Sequence, residues 1–164
     1  MSEHAIQFLQ RFNLSPELIV FCISLMPILE LRGGLIAAAF LKIPIIKAFL
    51  ICFTANILPI PFILLFIRKI LELMKKVKAF KGIAEWLERK AINKSGKVRQ
   101  RQMVGLFFFV AIPLPGTGGW TGSLVSAILE LPIWKSFIVI LFGILTAGFI
   151  MLTLTYFIPG LFGF

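Results

Sequence analysis

Three long runs of this chain contain no charged residue, and they constrain its fold more than any other feature. The runs cover residues 48–67, 103–129 and 136–164, which are 20, 27 and 29 residues long. About 20 apolar residues are enough for an α-helix to cross the hydrocarbon core of a bilayer. Only 15% of the 164 residues are charged, which is too few for the surface of a soluble domain. The sequence therefore predicts an all-α integral membrane protein.

Positive charge is concentrated in the middle of the chain. The net charge is +10, and 12 of the 17 Lys and Arg residues lie between Arg68 and Arg101. A basic segment between two apolar halves is typical of a cytoplasmic loop, and it attracts anionic lipid headgroups. We therefore expect a multi-pass protein of the cell (inner or plasma) membrane, with residues 68–102 in the cytoplasm and no nucleic-acid partner. The mixed composition of the first residues does not predict a cleavable signal peptide.

The basic segment also carries the pattern of an amphipathic helix. Its apolar residues recur at spacings of three and four, which places them on one face of a helix. They are Ile70, Leu73, Val77, Phe80, Ala84, Leu87 and Ala91. Residues 93–102 are polar, and they predict a loop before the second apolar half.

The two halves of the chain align without a gap when one is shifted by 88 residues. The densest match pairs PIIKAF at 44–49 with PIWKSF at 132–137, and Pro27 and Gly34 meet Pro115 and Gly122. Matches of Pro, Gly and Lys are hard to obtain by chance in so apolar a chain, so we interpret them as an internal duplication. One membrane domain, residues 1–164, then comprises repeat one (17–67), a basic amphipathic linker (68–102) and repeat two (103–158).

Each repeat has the same plan. A segment interrupted by Pro and Gly comes first, then a short junction, and then an unbroken apolar helix. In repeat one these are residues 18–41, 42–47 and 48–67; in repeat two they are residues 104–129, 130–135 and 136–157. The interrupted segments are either full spans kinked at proline or re-entrant hairpins. The arms of about 9 to 11 residues reach ~15 Å, half the thickness of the hydrocarbon core, so hairpins are feasible.

The choice between hairpins and full spans sets the topology. With hairpins each repeat crosses the membrane once, and the repeats have opposite orientations, as in secondary transporters. With full spans the repeats are parallel and both termini lie inside. Neither terminal tail has positive-inside character: residues 1–17 carry Glu3, Arg11 and Glu17, and the C-terminal tail has no charge. We therefore predict inverted repeats, each a re-entrant hairpin plus a transmembrane helix.

The first interruption, PILELRGG at residues 27–34, contains the pair Glu30 and Arg32. An ionisable residue in the middle of a membrane costs about 2.5–3.5 kcal/mol, so two of them indicate a functional site. The structural alternative is a self-neutralising ion pair, which requires an unwound tip because residues two apart point to opposite sides of a helix. Glu30 suits a group that takes up and releases a coupling proton. Arg32 presents a planar fork that matches phosphate or carboxylate.

The glycines of the two interruptions complete an anion-favouring site in this hypothesis. If Gly33–Gly34 and Gly118–Gly119 precede the second arms, both half-helices direct their N-termini at the midplane. Glycine also lets the backbone approach a ligand closely. The predicted substrate and proton site comprises Pro27, Glu30, Arg32, Gly33, Gly34, Pro115, Gly116, Thr117, Gly118, Gly119, Trp120, Thr121 and Gly122.

Catalysis and metal binding receive no support from the sequence. The chain has no Asp and a single histidine, His4. Cys22 and Cys52 lie in apolar surroundings, where a cysteine is most often a small buried hydrophobe. No nucleophile–base pair is visible. We therefore expect a protein that is not an enzyme and has no cofactor.

The motif ELRGG after a proline, the Pro-Gly-Thr-Gly-Gly tip and the length resemble the family called small multi-drug export proteins. That family is similar in plan to the DedA (VTT-domain) superfamily. The resemblance implies two facing re-entrant hairpins with acidic and Arg residues at their tips, and it marks Glu30 and Arg32. DedA-type proteins of bacteria are associated with recycling undecaprenyl phosphate. This chain departs from their pattern in its second tip, where no Arg or acid lies between Pro113 and Gly122.

Three functional hypotheses follow. The first is a transporter or flippase for an amphipathic substrate with an anionic head, such as the lipid phosphate undecaprenyl phosphate, coupled to protonation of Glu30. The second is a proton-coupled small multidrug exporter of lipophilic cations, and the third is a non-transporting membrane scaffold. The expected partners are the lipid bilayer, the amphipathic substrate and protons. A homodimer is also expected, because so few spans give little wall to enclose a pathway. Two sets of small residues permit close helix packing within one chain or between chains, namely Gly143, Ala147 and Gly148, and Gly33, Ala37 and Ala38.

Overall fold

The described part of the chain is all-helical, as predicted. The computed structural model describes residues 15–76, 96–114 and 116–157. Its elements are α1 (Pro16–Leu25), α2 (Glu30–Phe40), α3 (Ile45–Ile57), α4 (Ile60–Lys76), α5 (Gly96–Ala111), α6 (Gly119–Ile128), α7 (Ile133–Leu152) and a π-helical turn (Thr153–Phe157). The predicted amphipathic helix is described as far as Lys76, within α4, and the rest of its stripe lies outside the described residues.

Two stretches are long and apolar enough to cross a membrane. They are Ile45–Ile70 and Ile133–Phe157, with mean hydropathies of 2.4 and 2.6. The first comprises α3 and most of α4, and the second comprises α7 and the π-helical turn. Length and composition support a membrane protein; re-entrant hairpins and inverted repeats stay predictions.

The sequence predicted an unbroken helix over 48–67, and this prediction is wrong. The helix is interrupted at Leu58 and Pro59, between α3 and α4. Pro59 and Pro61 have no backbone N–H to donate, and a proline ring clashes with the carbonyl four residues earlier. The equivalent positions in the second half are Ala147 and Phe149, and α7 therefore runs without a break.

The interruptions are shorter than predicted. We call residues 26–29 tip one and residues 112–118 tip two, with residue 115 outside the described part. Helix α2 begins at Glu30, so Gly33 and Gly34 lie inside it and do not precede it.

The loop predicted over 93–102 is also wrong from residue 96 onward, because α5 begins at Gly96. Lys, Arg, Gln and Met are good helix formers, and they extend the apolar helix towards its N-terminus.

The two junctions repeat each other in backbone geometry at the offset of 88 residues. Lys42 and Glu130 both adopt positive φ, 54° and 53°. The next residues, Ile43 and Leu131, are both buried. The matching hydrogen bonds are Ile43 N–H to Ala38 O (2.9 Å) and Leu131 N–H to Ser126 O (3.0 Å). Each junction is therefore a Schellman helix end, with a left-handed residue and an apolar contact after it.

The halves also contact each other reciprocally. Helix α4 packs against α6, and α7 with its π-helical turn packs against α2. The guanidinium of Arg68 donates to the carbonyl of Leu131 at 2.6 Å. The equivalent hydroxyl of Tyr156 donates to the equivalent carbonyl of Ile43 at 3.5 Å. These two contacts of one half thus recur in the other half with the roles exchanged.

Small residues allow the helices to approach closely. An added Cβ at Gly143 would lie 2.7 Å from Cβ of Val110, on α5. One at Gly148 would lie 2.6 Å from Cε2 of Phe49, on α3. These glycines of α7 thus pack within one chain, as small residues commonly do between membrane helices. The predicted homodimer stays a prediction.

Candidate functional site between the two tips

Glu30 joins the two halves by capping a helix of the other half. Its carboxylate accepts hydrogen bonds from the backbone N–H groups of Gly119 (3.3 Å) and Trp120 (3.0 Å). Helix α6 begins at Gly119, so these are two of the N–H groups that have no partner within the helix. The side chain of Glu30 is buried, with 4% of its surface exposed. A buried carboxylate thus fills the anion-binding end of α6.

Glycine is required where the carboxylate sits. Gly118, the N-cap residue of α6, has φ of 141°, a conformation that other residues rarely adopt. An added Cβ at Gly118 would lie 1.9 Å from the carboxylate oxygen of Glu30. Glu30, the equivalent residue at the offset of 88, has φ of 50°. A non-glycine residue in this region is strained by about 1–3 kcal/mol, and such strain concentrates at functional positions.

Arg32 binds the other side of tip two. Its guanidinium donates to the carbonyls of Leu114 and Ile112, the latter at 3.2 Å, and to the hydroxyl of Thr117 at 3.0 Å. These carbonyls follow the last turn of α5, where the negative end of the helix dipole favours a cation. Each also accepts a backbone N–H within tip two, Ile112 O from Leu114 and Leu114 O from Thr117. The side chain of Thr117 in turn lies 2.9 Å from both carbonyls.

The two charges therefore do not neutralise each other as an isolated pair. Both lie in the first turn of α2, where residues two apart point in different directions. Glu30 reaches the positive end of α6, and Arg32 reaches the negative end of α5. Helix α2 thus supplies the charged groups that bind the backbone of tip two, which has no charged residue of its own. A hydrogen bond that involves a charged group contributes about 1.5–3 kcal/mol, so this contact is a firm connection between the halves.

A small cavity lies beside the Glu30 carboxylate. Its volume is about 10 Å³, close to the smallest space that holds one water molecule. Its lining residues are Glu30, Leu31, Arg32, Asn56, Val110, Gly118, Gly119, Ile144 and Ala147. Three pairs among them are equivalent at the offset of 88, namely Glu30 with Gly118, Leu31 with Gly119 and Asn56 with Ile144. The cavity is therefore lined by equivalent positions of both halves.

Asn56 is the polar side chain that the sequence analysis did not single out. It is 2% exposed, and its Oδ1 has no hydrogen-bond partner among the described residues. Buried polar atoms normally have a partner, so an unpaired Oδ1 next to a cavity indicates a site for a donor. In the sequence it is noticeable as the one amide side chain of the uncharged run 48–67. Its position relative to Glu30 follows only from the fold.

The structure brings together part of the predicted site. Glu30, Arg32, Thr117, Gly118, Gly119 and the backbone of Trp120 meet at the contact between the tips. Pro27 and Gly116 are exposed, and Pro115 lies outside the described residues. The hydroxyl of Thr121 donates to the Gly118 carbonyl at 3.5 Å.

Gly34 and Gly122 serve packing between helices in this structure, and Gly33 lies close to the N-cap residue of its own helix. An added Cβ would lie 1.8 Å from Oγ of Ser24 at Gly34, and 2.6 Å from Cγ2 of Val110 at Gly122. At Gly33 it would lie 2.8 Å from Cβ of Leu29. Their predicted role in backbone approach to a ligand stays a prediction.

Comparison with known proteins assigns these features to a family. The sequence profile of the family described as "Putative small multi-drug export protein" matches residues 30–150, about three quarters of the chain. The chain belongs to this family. The match begins at Glu30 and covers Arg32, tip two and most of both long apolar stretches. No curated protein and no solved structure matches the chain.

The family assignment confirms the resemblance to small multi-drug export proteins that the motifs predicted. An export family and two long apolar helical stretches together characterise a membrane protein. Similarity to the DedA superfamily stays a prediction. So does the assignment of the protein to a particular membrane, with its basic segment in the cytoplasm.

Proposed function

We propose that this family member is a membrane transporter in which the contact between Glu30 and the N-terminus of α6 opens and closes during each cycle. The observation that carries the proposal is the buried Glu30 carboxylate on the N–H groups of Gly119 and Trp120. This contact lies between the two halves of the chain, where transporters built from repeats bind their substrates.

The proposed topology is a pair of inverted repeats with re-entrant hairpins. Arg68, late in α4, contacts the junction before α7, and Tyr156, just after α7, contacts the junction before α3. The two long apolar stretches therefore run antiparallel, which supports opposite orientations of the repeats in a membrane.

The ends of the first hairpin support its re-entrant path. Glu17, in the first turn of α1, forms a 2.7 Å ion pair with Lys47, at the start of α3. Helix α2 ends at Phe40, next to the same junction. The hairpin thus begins and ends at one level. Its helices of 10 and 11 residues reach about 15 Å, half of a hydrocarbon core.

The proposed substrate is an amphipathic molecule with an anionic head, for which a lipid phosphate is the model. The N-terminus of α6 is an anion receptor, with free N–H groups, the positive end of a dipole and no side chain at Gly118 or Gly119. In this structure the carboxylate of Glu30 occupies it. Protonation removes the charge of Glu30 and weakens its hold on α6, so the anionic head of a substrate can take its place.

The proposed cycle couples one proton to each anionic charge. An ionised Glu30 competes with the substrate for the same N–H groups, whereas a protonated Glu30 does not. Transport of an anionic lipid should therefore become faster as pH falls. A lipophilic cation would instead need the ionised carboxylate, so its transport should become faster as pH rises. The sign of the pH dependence separates the two substrate classes.

The test uses purified protein in liposomes that contain a fluorescent short-chain lipid phosphate, with movement between leaflets followed by quenching from outside. We expect accelerated movement that increases at lower pH, loss of the pH dependence in Glu30→Gln, and loss of movement in Gly118→Ala. Gly105→Ala is the matched control, since an added Cβ there meets nothing within 4 Å. Absence of acceleration at every pH would refute the proposal for lipid phosphates.

Export of lipophilic cations is the second candidate, and two observations favour it. The family is described as one of small multi-drug export proteins. The cavity also presents two acceptors, the Glu30 carboxylate and the unpaired Oδ1 of Asn56. In the same liposomes, pH-driven movement of ethidium that is fastest at high pH and lost in Glu30→Gln would favour this candidate over the anionic substrate.

A further inference from the structure

Asn56 and Glu30 line the same cavity. The proposed function requires two positions of the Glu30 side chain, one when it is ionised and one when it is protonated. The ionised carboxylate has one position already, on the N–H groups of α6. A protonated carboxyl carries an O–H donor and needs an acceptor wherever it moves. In a buried site without an acceptor, that donor would lose the hydrogen bond it makes in water.

The cavity offers such an acceptor. Oδ1 of Asn56 is unpaired among the described residues, its side chain is almost completely buried, and Glu30 lines the same cavity of about 10 Å³. An amide oxygen accepts two hydrogen bonds and cannot donate. It therefore accepts from a protonated carboxyl but cannot bond to an ionised one. In the orientation that this amide has in the structure, its Oδ1 therefore selects the protonated carboxyl.

We propose that Asn56 is a positioning residue whose Oδ1 accepts the hydrogen bond of the protonated Glu30 carboxyl, through the space of the cavity, when that carboxyl leaves the α6 N-terminus. The inference rests on the proposed function, because it names the hydrogen-bond partner of Glu30 in the protonated state that the proposed function requires. Glu30 then alternates between two partners, the backbone of α6 when ionised and Asn56 of α3 when protonated.

None of the other titratable groups on α2 or on the elements packed against it competes with Asn56 as a partner of the protonated Glu30. Among the described residues that line the cavity, Glu30 and Arg32 are the ionisable ones, and the fork of Arg32 is bound to tip two. The titratable groups on the elements packed against α2 are Glu17, Cys22, Lys47, Cys52, Lys135 and Tyr156. None of these lines the cavity. The equivalent of Asn56 in the second half is Ile144, whose side chain has no hydrogen-bond acceptor.

The test is an infrared pH titration of the purified protein in lipid, which follows the C=O stretch of a protonated carboxyl. Loss of the band in Glu30→Gln assigns it to Glu30. In Asn56→Leu and the smaller Asn56→Val we expect the band at higher frequency, as for a carboxyl without a hydrogen bond. The midpoint should also fall by about one pH unit, since a hydrogen bond that stabilises the protonated form is lost. Asn56→Gln keeps the amide oxygen and should restore part of both properties.

The matched control is Ser136→Ala. Oγ of Ser136 is also buried without a partner among the described residues, but it does not line the cavity, so its removal should leave the band unchanged. A Glu30 band that titrates in the natural protein and is unaltered in both Asn56→Leu and Asn56→Val overturns this inference and leaves the proposed function standing. If no band of Glu30 titrates at all, the proton-coupled function itself fails.

Discussion

At the scale of single residues, two side chains of α2 hold the two tips together with opposite charges. Glu30 is matched to the start of α6 and Arg32 to the end of α5. These contacts give each ionisable residue of an apolar segment a partner of its own. Each one binds backbone groups at a helix end in the other half of the chain.

Arg32 allows a prediction that distinguishes its fork from its charge. Lysine carries the same charge but is a single point donor, whereas Arg32 binds the two carbonyls and the Thr117 hydroxyl with a fixed geometry. We expect Arg32→Ala to lower the free energy of unfolding in detergent by about 2–4 kcal/mol and Arg32→Lys to recover at most about half of the loss.

Thermal unfolding at several denaturant concentrations measures both variants. Lys47→Ala is the control for removal of a positive charge, because its ion pair with Glu17 is exposed to solvent and should contribute little to stability. Equal stability of Arg32→Lys and the natural protein would contradict the assigned role of the fork.

At the scale of elements, close contact between helices determines where the tips lie. Helix α2 is pressed against α1 and α3 at Gly34, whose added Cβ would lie 1.8 Å from Oγ of Ser24 and 2.9 Å from Sγ of Cys52. The glycine therefore sets the distance between the arms of the first hairpin. Through that distance it also sets the position of Glu30, one turn earlier on the same helix.

We expect Gly34→Ala to destabilise the protein by about 1–3 kcal/mol, because the new methyl group overpacks a buried contact. Ser24→Ala removes the nearest atom, so the double variant should recover part of the stability, measured as a coupling in a double-mutant cycle. Gly105→Ala, in open space on α5, should be neutral or slightly stabilising. If Gly34→Ala behaves like Gly105→Ala, the close contact does not limit the packing of α2.

At the scale of the whole molecule, Arg68, late in α4, contacts the junction before α7, and Tyr156, just after α7, contacts the junction before α3. Lys42 lies at the first junction and Lys135 at the second, and both are exposed. In the proposed inverted arrangement these two residues face opposite sides of the membrane. Parallel repeats would put them on the same side.

Single cysteines in a variant without Cys22 and Cys52 test this arrangement. With a reagent that does not cross the membrane, we expect Lys42→Cys, Ser2→Cys and Phe164→Cys to react from outside, and Lys135→Cys and Ser95→Cys to react from the cytoplasm. The basic segment sets the absolute direction through the positive-inside rule. Reaction of Lys42→Cys and Lys135→Cys from the same side would exclude inverted repeats.

Local features of the sequence determined the elements and their repetition. The long apolar helical stretches lie within or overlap the uncharged runs. Helix α1 begins at Pro16 because Ser15 caps it: the Ser15 hydroxyl accepts a hydrogen bond from the N–H of Leu18. The offset of 88 residues anticipated the equal geometry of the two junctions. These features depend on residues close together in the chain, so a pattern suffices to predict them.

Contacts between distant residues were decided only by the tertiary structure. Glu30 and Gly119 are 89 residues apart, and no pattern in the sequence shows that one caps the other. The start of α2 at Glu30, the position of Arg32 on tip two and the unpaired oxygen of Asn56 all follow from how the two halves pack against each other. The sequence could show that Glu30 and Arg32 were out of place in an apolar segment. What each of them binds depends on the tertiary packing, because a buried charge is stabilised by whichever partners the fold brings within hydrogen-bond distance.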